Sequence, residues 1–352
     1  MKTNNNIPAY RFQGYTDAWE LRKLGEVADV FDGTHQTPKY TNHGVMFLSV
    51  EDIATLKSEK YISLEDFEKE FKIFPEFNDV LMTRIGDIGT SNIVKSNDKI
   101  AYYVSLALIK PRNLDSYFLN SIIQSKDFQN ELWKRTLHIA FPKKINKGEI
   151  SEVYLKFPTL PEQEAIGTFF STLDRHITLH QRKLDALKEQ KKTYLKLLFP
   201  AKGQTQPALR FQGFEDDWEE VKLGEVLIKN SKRNKDLRII NVESVSNRLG
   251  FVKQTEQFED YSVASSDLSN YYVISEKQFA YNPSRINVGS IAYKKLGEES
   301  SVVSPLYVSF STSENVEDYY LWYWFKTELF HSQRIVFSEG GVRDTLSYNQ
   351  LS

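Results

Sequence analysis

Three short polar stretches gather the side chains best suited to directional hydrogen bonding. DGTHQTPKY at residues 32–40 contributes Thr34, His35, Gln36, Thr37 and Lys39. NPSRINVG at 282–289 contributes Asn282, Ser284, Arg285 and Asn287, and MTRIGDIG at 82–89 contributes Arg84. Arginine matches the guanine edge and Asn or Gln the adenine edge, each good bidentate pair being worth about 1–3 kcal/mol of discrimination. The chemistry on offer is therefore recognition of base edges. The same Gly, Pro and Asn content also suits an ordinary turn, and Arg84 suits a surface salt bridge. Between Trp133 and Lys147 stand Lys134, Arg135, Lys143, Lys144 and Lys147 with no acid among them. At the matching place in the second half, GGVRDTLS carries Arg343 beside Asp344. Lys143, Lys144 and Arg343 are candidates for phosphate contacts, which fix position without reading sequence. A solvated basic face, or an Arg343–Asp344 ion pair, is the alternative.

Other chemistries lack their residues. The chain has no cysteine, hence no thiol nucleophile, disulfide or thiolate metal site. No Gly-Lys pair forms a phosphate loop, and no His-Glu-x-x-His motif occurs. Asn282-Pro283-Ser284-Arg285 shares only its first two residues with the Asn-Pro-Pro-aromatic motif of adenine methyltransferases, and no Phe-x-Gly-x-Gly loop accompanies it. His176 and His180 are four apart on a helical stretch, but no further ligand cluster completes a metal site, so they read as core or surface residues. No catalytic residue and no metal ligand is assigned. A formal net charge of -2 leaves any nucleic-acid contact to local patches. No apolar run approaches the roughly 20 residues of a membrane span, and MKTNNNIPAY lacks a signal-peptide core. The expected location is the cytoplasm.

The elements that would position these residues come in two copies. RFQGYTDAWELRKLGEV at 11–27 returns as RFQGFEDDWEEVKLGEV at 210–226, with twelve of seventeen positions identical. A period near 200 is that of a domain used twice. Each half follows its opening with short aromatic and β-branched segments, then helical patterning, which predicts an α+β fold with a mostly antiparallel sheet. Trp19 and Trp218 are expected at joints between domain and helix. From LPEQ at 160–163, apolar residues recur in heptad steps at Ile166, Phe170, Leu173, Ile177, Leu184, Leu187, Tyr194 and Leu198, interrupted by His180 and Lys191. A helix from Glu162 to Leu198 would be about 55 Å long. Its lone apolar stripe needs something to pack on. The predicted organisation is a first domain at 1–158, a long helix at 159–200, a linker at 201–209 and a second domain at 210–352. That second domain is expected to end before a distal helix of its own.

The LGEV openings with their Trp19 and Trp218, the Pro161-Glu162-Gln163 helix start, and the loops DGTHQTPKY, MTRIGDIG and YNPSRINVGS together resemble the specificity subunits of type I restriction-modification systems. The resemblance covers the whole chain. It implies two target recognition domains, each reading one half of a split, asymmetric site in double-stranded DNA, held apart by long helices. It implies no cofactor on this chain itself. S-adenosylmethionine would belong to the methyltransferase subunits, two of which are expected, and ATP and Mg2+ to the restriction motor subunits. Because the chain departs from the pattern at the distal helix, a second copy of itself is a further possible partner. The competing reading is a coiled-coil interaction scaffold that does not bind DNA.

Overall fold

Strand Val80–Thr83 has no exposed face: all four of its residues are buried. Successive strand side chains point to opposite sides, so such a run must separate two cores. Val80 and Met82, with Ala107 and Ile109, enter a core closed by Phe118, Leu119, Phe128 and Leu132 of helices Ser116–Ile123 and Lys126–Arg135. Leu81, with Leu106 and Leu108, enters a second core with Phe47, Leu48, Ile62 and Phe67. Burying one such Leu completely contributes about 1.5–3 kcal/mol.

The computed structural model describes residues 7–254, 267–338 and 345–352, in two units, 1–182 and 183–352. The central sheet of the first unit is antiparallel, in the order Ala28–Asp32, Leu106–Pro111, Val80–Thr83, Ser91–Ile93. A smaller sheet places Val45–Leu48 between Tyr61–Ile62 and a parallel neighbour, Ile100–Tyr102. The second unit repeats the central order with Leu227–Lys229, Val308–Thr312, Gln278–Tyr281 and Ile291–Tyr293. There Phe279 stacks on Phe310 of the neighbouring strand at 5.1 Å. A buried Lys294–Glu243 ion pair of 2.6 Å, joined by Ser301, links the end of Ile291–Tyr293 to two further strands, Glu243–Ser246 and Ser301–Val303. The predicted α+β class with mostly antiparallel sheets holds for both units.

One helix runs over Leu160–Leu197, 38 residues, or about 57 Å. The division between the units falls inside this helix. After the helix, Leu209 N donates to Leu197 O at 2.9 Å and Trp218 N to Thr205 O at 2.9 Å. At the helix start, Gln163 Nε2 donates to Pro158 O at 2.8 Å while its Oε1 accepts from Asp115 N at 2.9 Å. Asp115 in turn caps helix Ser116–Ile123 by accepting from Phe118 N. Arg11 grips Glu162 with two guanidinium nitrogens, a bidentate geometry. Ile166 and Trp19 pack on the first core, Trp19 edge-on to Phe118.

At Gly167 helix and domain approach closely. A β-carbon there would stand 2.7 Å from Phe118 N and 2.6 Å from Asp115 Oδ1. Gly167→Val is therefore expected to destabilise the first unit by roughly 1–3 kcal/mol, as overpacking does. Thermal unfolding checks this, and an unchanged midpoint would mean that the helix start is not seated there.

Candidate nucleic-acid interface

The candidate loops of the first unit are rooted on one buried side chain. Arg84 follows the central strand Val80–Thr83 and is only 5% exposed. Its Nε donates to Ile145 O at 3.0 Å, and its Nη1 pairs with Asp32. Arg84 O accepts from Ile145 N at 3.0 Å. This corrects the expectation that Arg84 contacts a base: its guanidinium is already engaged inside the protein. What it holds are the two segments that do reach solvent. Asp32 opens the 33–40 loop, and Ile145 closes the basic 137–144 loop.

His35, Gln36, Thr37 and Lys39 are exposed, and Thr34 is half-buried, donating to Glu70 at 3.2 Å. Gly33 lies so close to the backbone of Tyr102 and Tyr103 that any β-carbon would collide. Tyr102 donates its hydroxyl to Asp32 O at 3.0 Å. Burial first, then the charges of Asp32 and Asp79, push that phenol well above its ordinary pKa, so it remains a donor. The loop thus has a rigid base and a polar exposed tip.

The second loop is braced from both sides. Leu137 N donates to Lys144 O and Gly86 N to Lys143 O, both at 2.8 Å. Lys134 and Arg135 are drawn back by Glu131, and Arg135 also by Glu149. Lys143 and Lys144 are exposed, with no acid partner among the described residues. Sequence reasoning separated the 33–40, 82–89 and 137–144 segments; the structure joins them through Arg84. It missed Asp32 as the acid that makes this possible, because nothing local to residue 32 marks its partner.

In the second unit the 282–290 loop stands at the equivalent place. Leu346 N donates to Pro283 O at 3.1 Å, as Ile145 N does to Arg84 O. Tyr281 donates to Leu346 O at 3.0 Å, its phenol raised by burial and then by Tyr348. Asn282 Oδ1 accepts from Ser284 N, Arg285 N donates to Asn282 O, and Ser290 N to Arg285 O. Asn282 is thus half-buried and occupied by its own loop. Ser284, Arg285 and Asn287 are exposed, and the Arg285 guanidinium has no acid partner among the described residues. Arg343 lies outside the described residues.

Residues 16–189 match the type I restriction modification DNA specificity domain. The chain belongs to the type I restriction-modification specificity family. It is similar to the type I restriction enzyme MjaVIII specificity subunit of Methanocaldococcus jannaschii, 22% identical over 52% of this chain and 46% of that one. It also resembles the putative MjaX specificity subunit of the same organism, 23% identical over 58% and 52%. The chain thus spans about half the length of these curated relatives. The crystal structure of a type I restriction-modification S subunit from M. genitalium shares the fold at a TM-score of 0.57 and 14% identity, covering 100% of this chain and 84% of that one.

For this specificity-family chain, the long helix leaves Phe170, Leu173, Ile177, Leu184 and Leu187 of the heptad stripe exposed. Two ends of the predicted stripe differ. Ile166 is taken up by the first core, and Leu198 is half-buried, lining with exposed Tyr194 an apolar groove of about 660 Å³ in the second unit. That groove is also lined by Arg210, Phe211, Phe214 and Trp218, the repeat copies of Arg11, Phe12, Tyr15 and Trp19. In the first unit those copies hold the helix start: Arg11 on Glu162, Phe12 against Phe169 at 5.7 Å, Tyr15 Oη donating to Pro161 O at 3.2 Å. In the second, a guanidinium nitrogen of Arg210 is buried with no hydrogen-bond partner among the described residues. Trp218 rests on Phe199 and Tyr320.

Arg84→Met should cost about 3–5 kcal/mol, because it leaves the carboxylate of Asp32 without its cation. The double variant Arg84→Met with Asp32→Leu should recover most of that loss. A double-mutant cycle of unfolding free energies checks the coupling, and purely additive losses would mean that the two side chains act independently.

Proposed function

We propose that the chain is the sequence-reading component of a type I restriction-modification complex, binding double-stranded DNA and performing no catalysis itself. The observation that carries this reading is the recurrence of one device in both units. In each unit the segment after the corresponding central strand is tied to a returning segment, Ile145 N to Arg84 O and Leu346 N to Pro283 O, and this tie roots exposed polar side chains on 33–40 and 137–144 in one unit and on 282–290 in the other. The 33–40 and 137–144 loops would serve one half-site and the 282–290 loop the other. Because these loops differ in sequence while their supports correspond, the site read would be split and asymmetric. A helix of about 57 Å exceeds the roughly 34–36 Å between half-sites one helical turn apart, so it suffices as a spacer.

The exposed stripe from Phe170 to Leu187 and the groove around Arg210 are surfaces suited to the rest of such a complex. They would receive methyltransferase subunits, two in the reading preferred here, and restriction motor subunits. S-adenosylmethionine, ATP and Mg2+ would be bound by those partners. A DNA-free scaffold would use the same stripe but would give no role to the pinned polar loops.

Mapping adenine methylation across the source genome with the gene intact, deleted and restored tests this reading. The expected result is one split motif that vanishes and returns with the gene; a map unaffected by all three states would refute it. Arg285→Ala should relax discrimination at one base of one half-site by about 1–3 kcal/mol while the other half keeps its preference. Uniform weakening on every sequence would reassign Arg285 to the phosphates. Ile177→Asp together with Leu184→Asp should prevent copurification with the methyltransferase subunits, while duplex affinity measured on the chain alone is retained.

A further inference from the structure

The 137–144 loop carries a feature that phosphate gripping does not explain. Ile139 and Phe141 are as exposed as side chains can be, at 100% and 105% of the extended-chain reference. They are not on a loose segment. Leu137 bridges to Lys144, Lys143 O is held by Gly86 N, and Ile145 is fixed by Arg84. On the entering side, Trp133 lies against His138 at 4.6 Å, and His138 Nε2 meets Trp133 O at 2.8 Å. The tip is thus an apolar point on a braced stem. Such surface is retained where it meets a partner.

The surroundings select the partner. Lys143 and Lys144 follow Phe141 after Pro142, exposed and without acid partners among the described residues, and Lys147 stands just beyond. The same buried Arg84 that roots this loop roots the polar 33–40 loop. An apolar point followed by free cations suits a duplex, whose phosphates border a stack of apolar base faces. Apolar side chains of these types are inserted between base steps by DNA-bending proteins.

We propose that the tip of the 137–144 loop is a wedge that inserts Phe141, with Ile139 beside it, between two base pairs of the bound duplex. The proposal rests on the DNA-reading function above. It gives that function an indirect component, because the cost of opening a step depends on which bases form it. Pyrimidine–purine steps, which unstack most readily, would be favoured under the wedge without any hydrogen bond to them.

The test uses the full chain assembled with its methyltransferase subunits and a duplex carrying the split site identified by the methylation map. 2-Aminopurine replaces adenine at one position at a time. Wild-type complex is expected to raise fluorescence at a single step within or beside one half-site. Phe141→Ala should abolish that rise and weaken binding on the order of tenfold, the scale of one lost base–aromatic contact. Phe141→Leu should keep most of the signal. Neither variant should move the thermal midpoint, since the side chain packs on nothing. Tight, site-specific binding with no rise at any position would overturn the wedge and leave the reading function standing, as would a rise that persists in Phe141→Ala. Loss of methyltransferase copurification in Phe141→Ala with unchanged fluorescence would overturn it in favour of a protein-docking tip. Failure of the wild-type complex to prefer any duplex would overturn both readings together.

Discussion

A sheet buried on both faces has only its ends left for contact. That constraint governs the middle of each central sheet, because Val80–Thr83 in the first unit and Phe279–Tyr281 in the second feed alternate side chains into two cores. Everything polar is pushed to the loops where strands end. Loops supported only by their own turns would not hold side chains to the tolerance that base recognition requires. Arg84 supplies the missing support at the cost of burying a charge. A desolvated guanidinium persists only where its partners are well placed, and here they are Asp32 and the carbonyl of Ile145. One buried cation thereby fixes the roots of two exposed loops.

The second unit reaches the same end without a guanidinium. Pro283 occupies the place of Arg84, and its carbonyl accepts from Leu346 N while the Tyr281 hydroxyl reaches Leu346 O. The backbone bridge is common to both units, and the side chains completing it differ. This is the pattern expected of a scaffold that must stay constant while its tips change.

Features resting on long, regular patterns were legible in the sequence. The twofold repeat, the α+β class and the exposed stripe of the long helix all follow from identity or periodicity over many residues. Features that depend on a distant partner were not. Arg84 reads as a surface cation until Asp32, 52 residues away, is brought against it. The heptad count included Ile166 because spacing alone does not reveal where a helix ceases to be free and docks on its own domain. Phe141 was overlooked for the opposite reason: an aromatic residue is assumed to be inside, and no local signal marks one held in water by a braced stem. The 201–209 stretch reads as a linker by composition, yet Leu209 closes back on the end of the helix through a backbone hydrogen bond that composition does not encode.

The repeated openings explain what repetition is for in this fold. Identical residues cannot create two specificities, and the structure gives them a different task. In the first unit Arg11, Phe12, Tyr15 and Trp19 seat the start of a helix, with Glu162 and Gln163 completing the lock. In the second unit the same four positions help line an apolar groove in which one nitrogen of Arg210 lacks a partner among the described residues. A buried donor left unmade costs free energy. Repetition thus serves packing in both units, seating a helix start in one and lining a groove in the other, while the polar loops lie outside the repeat.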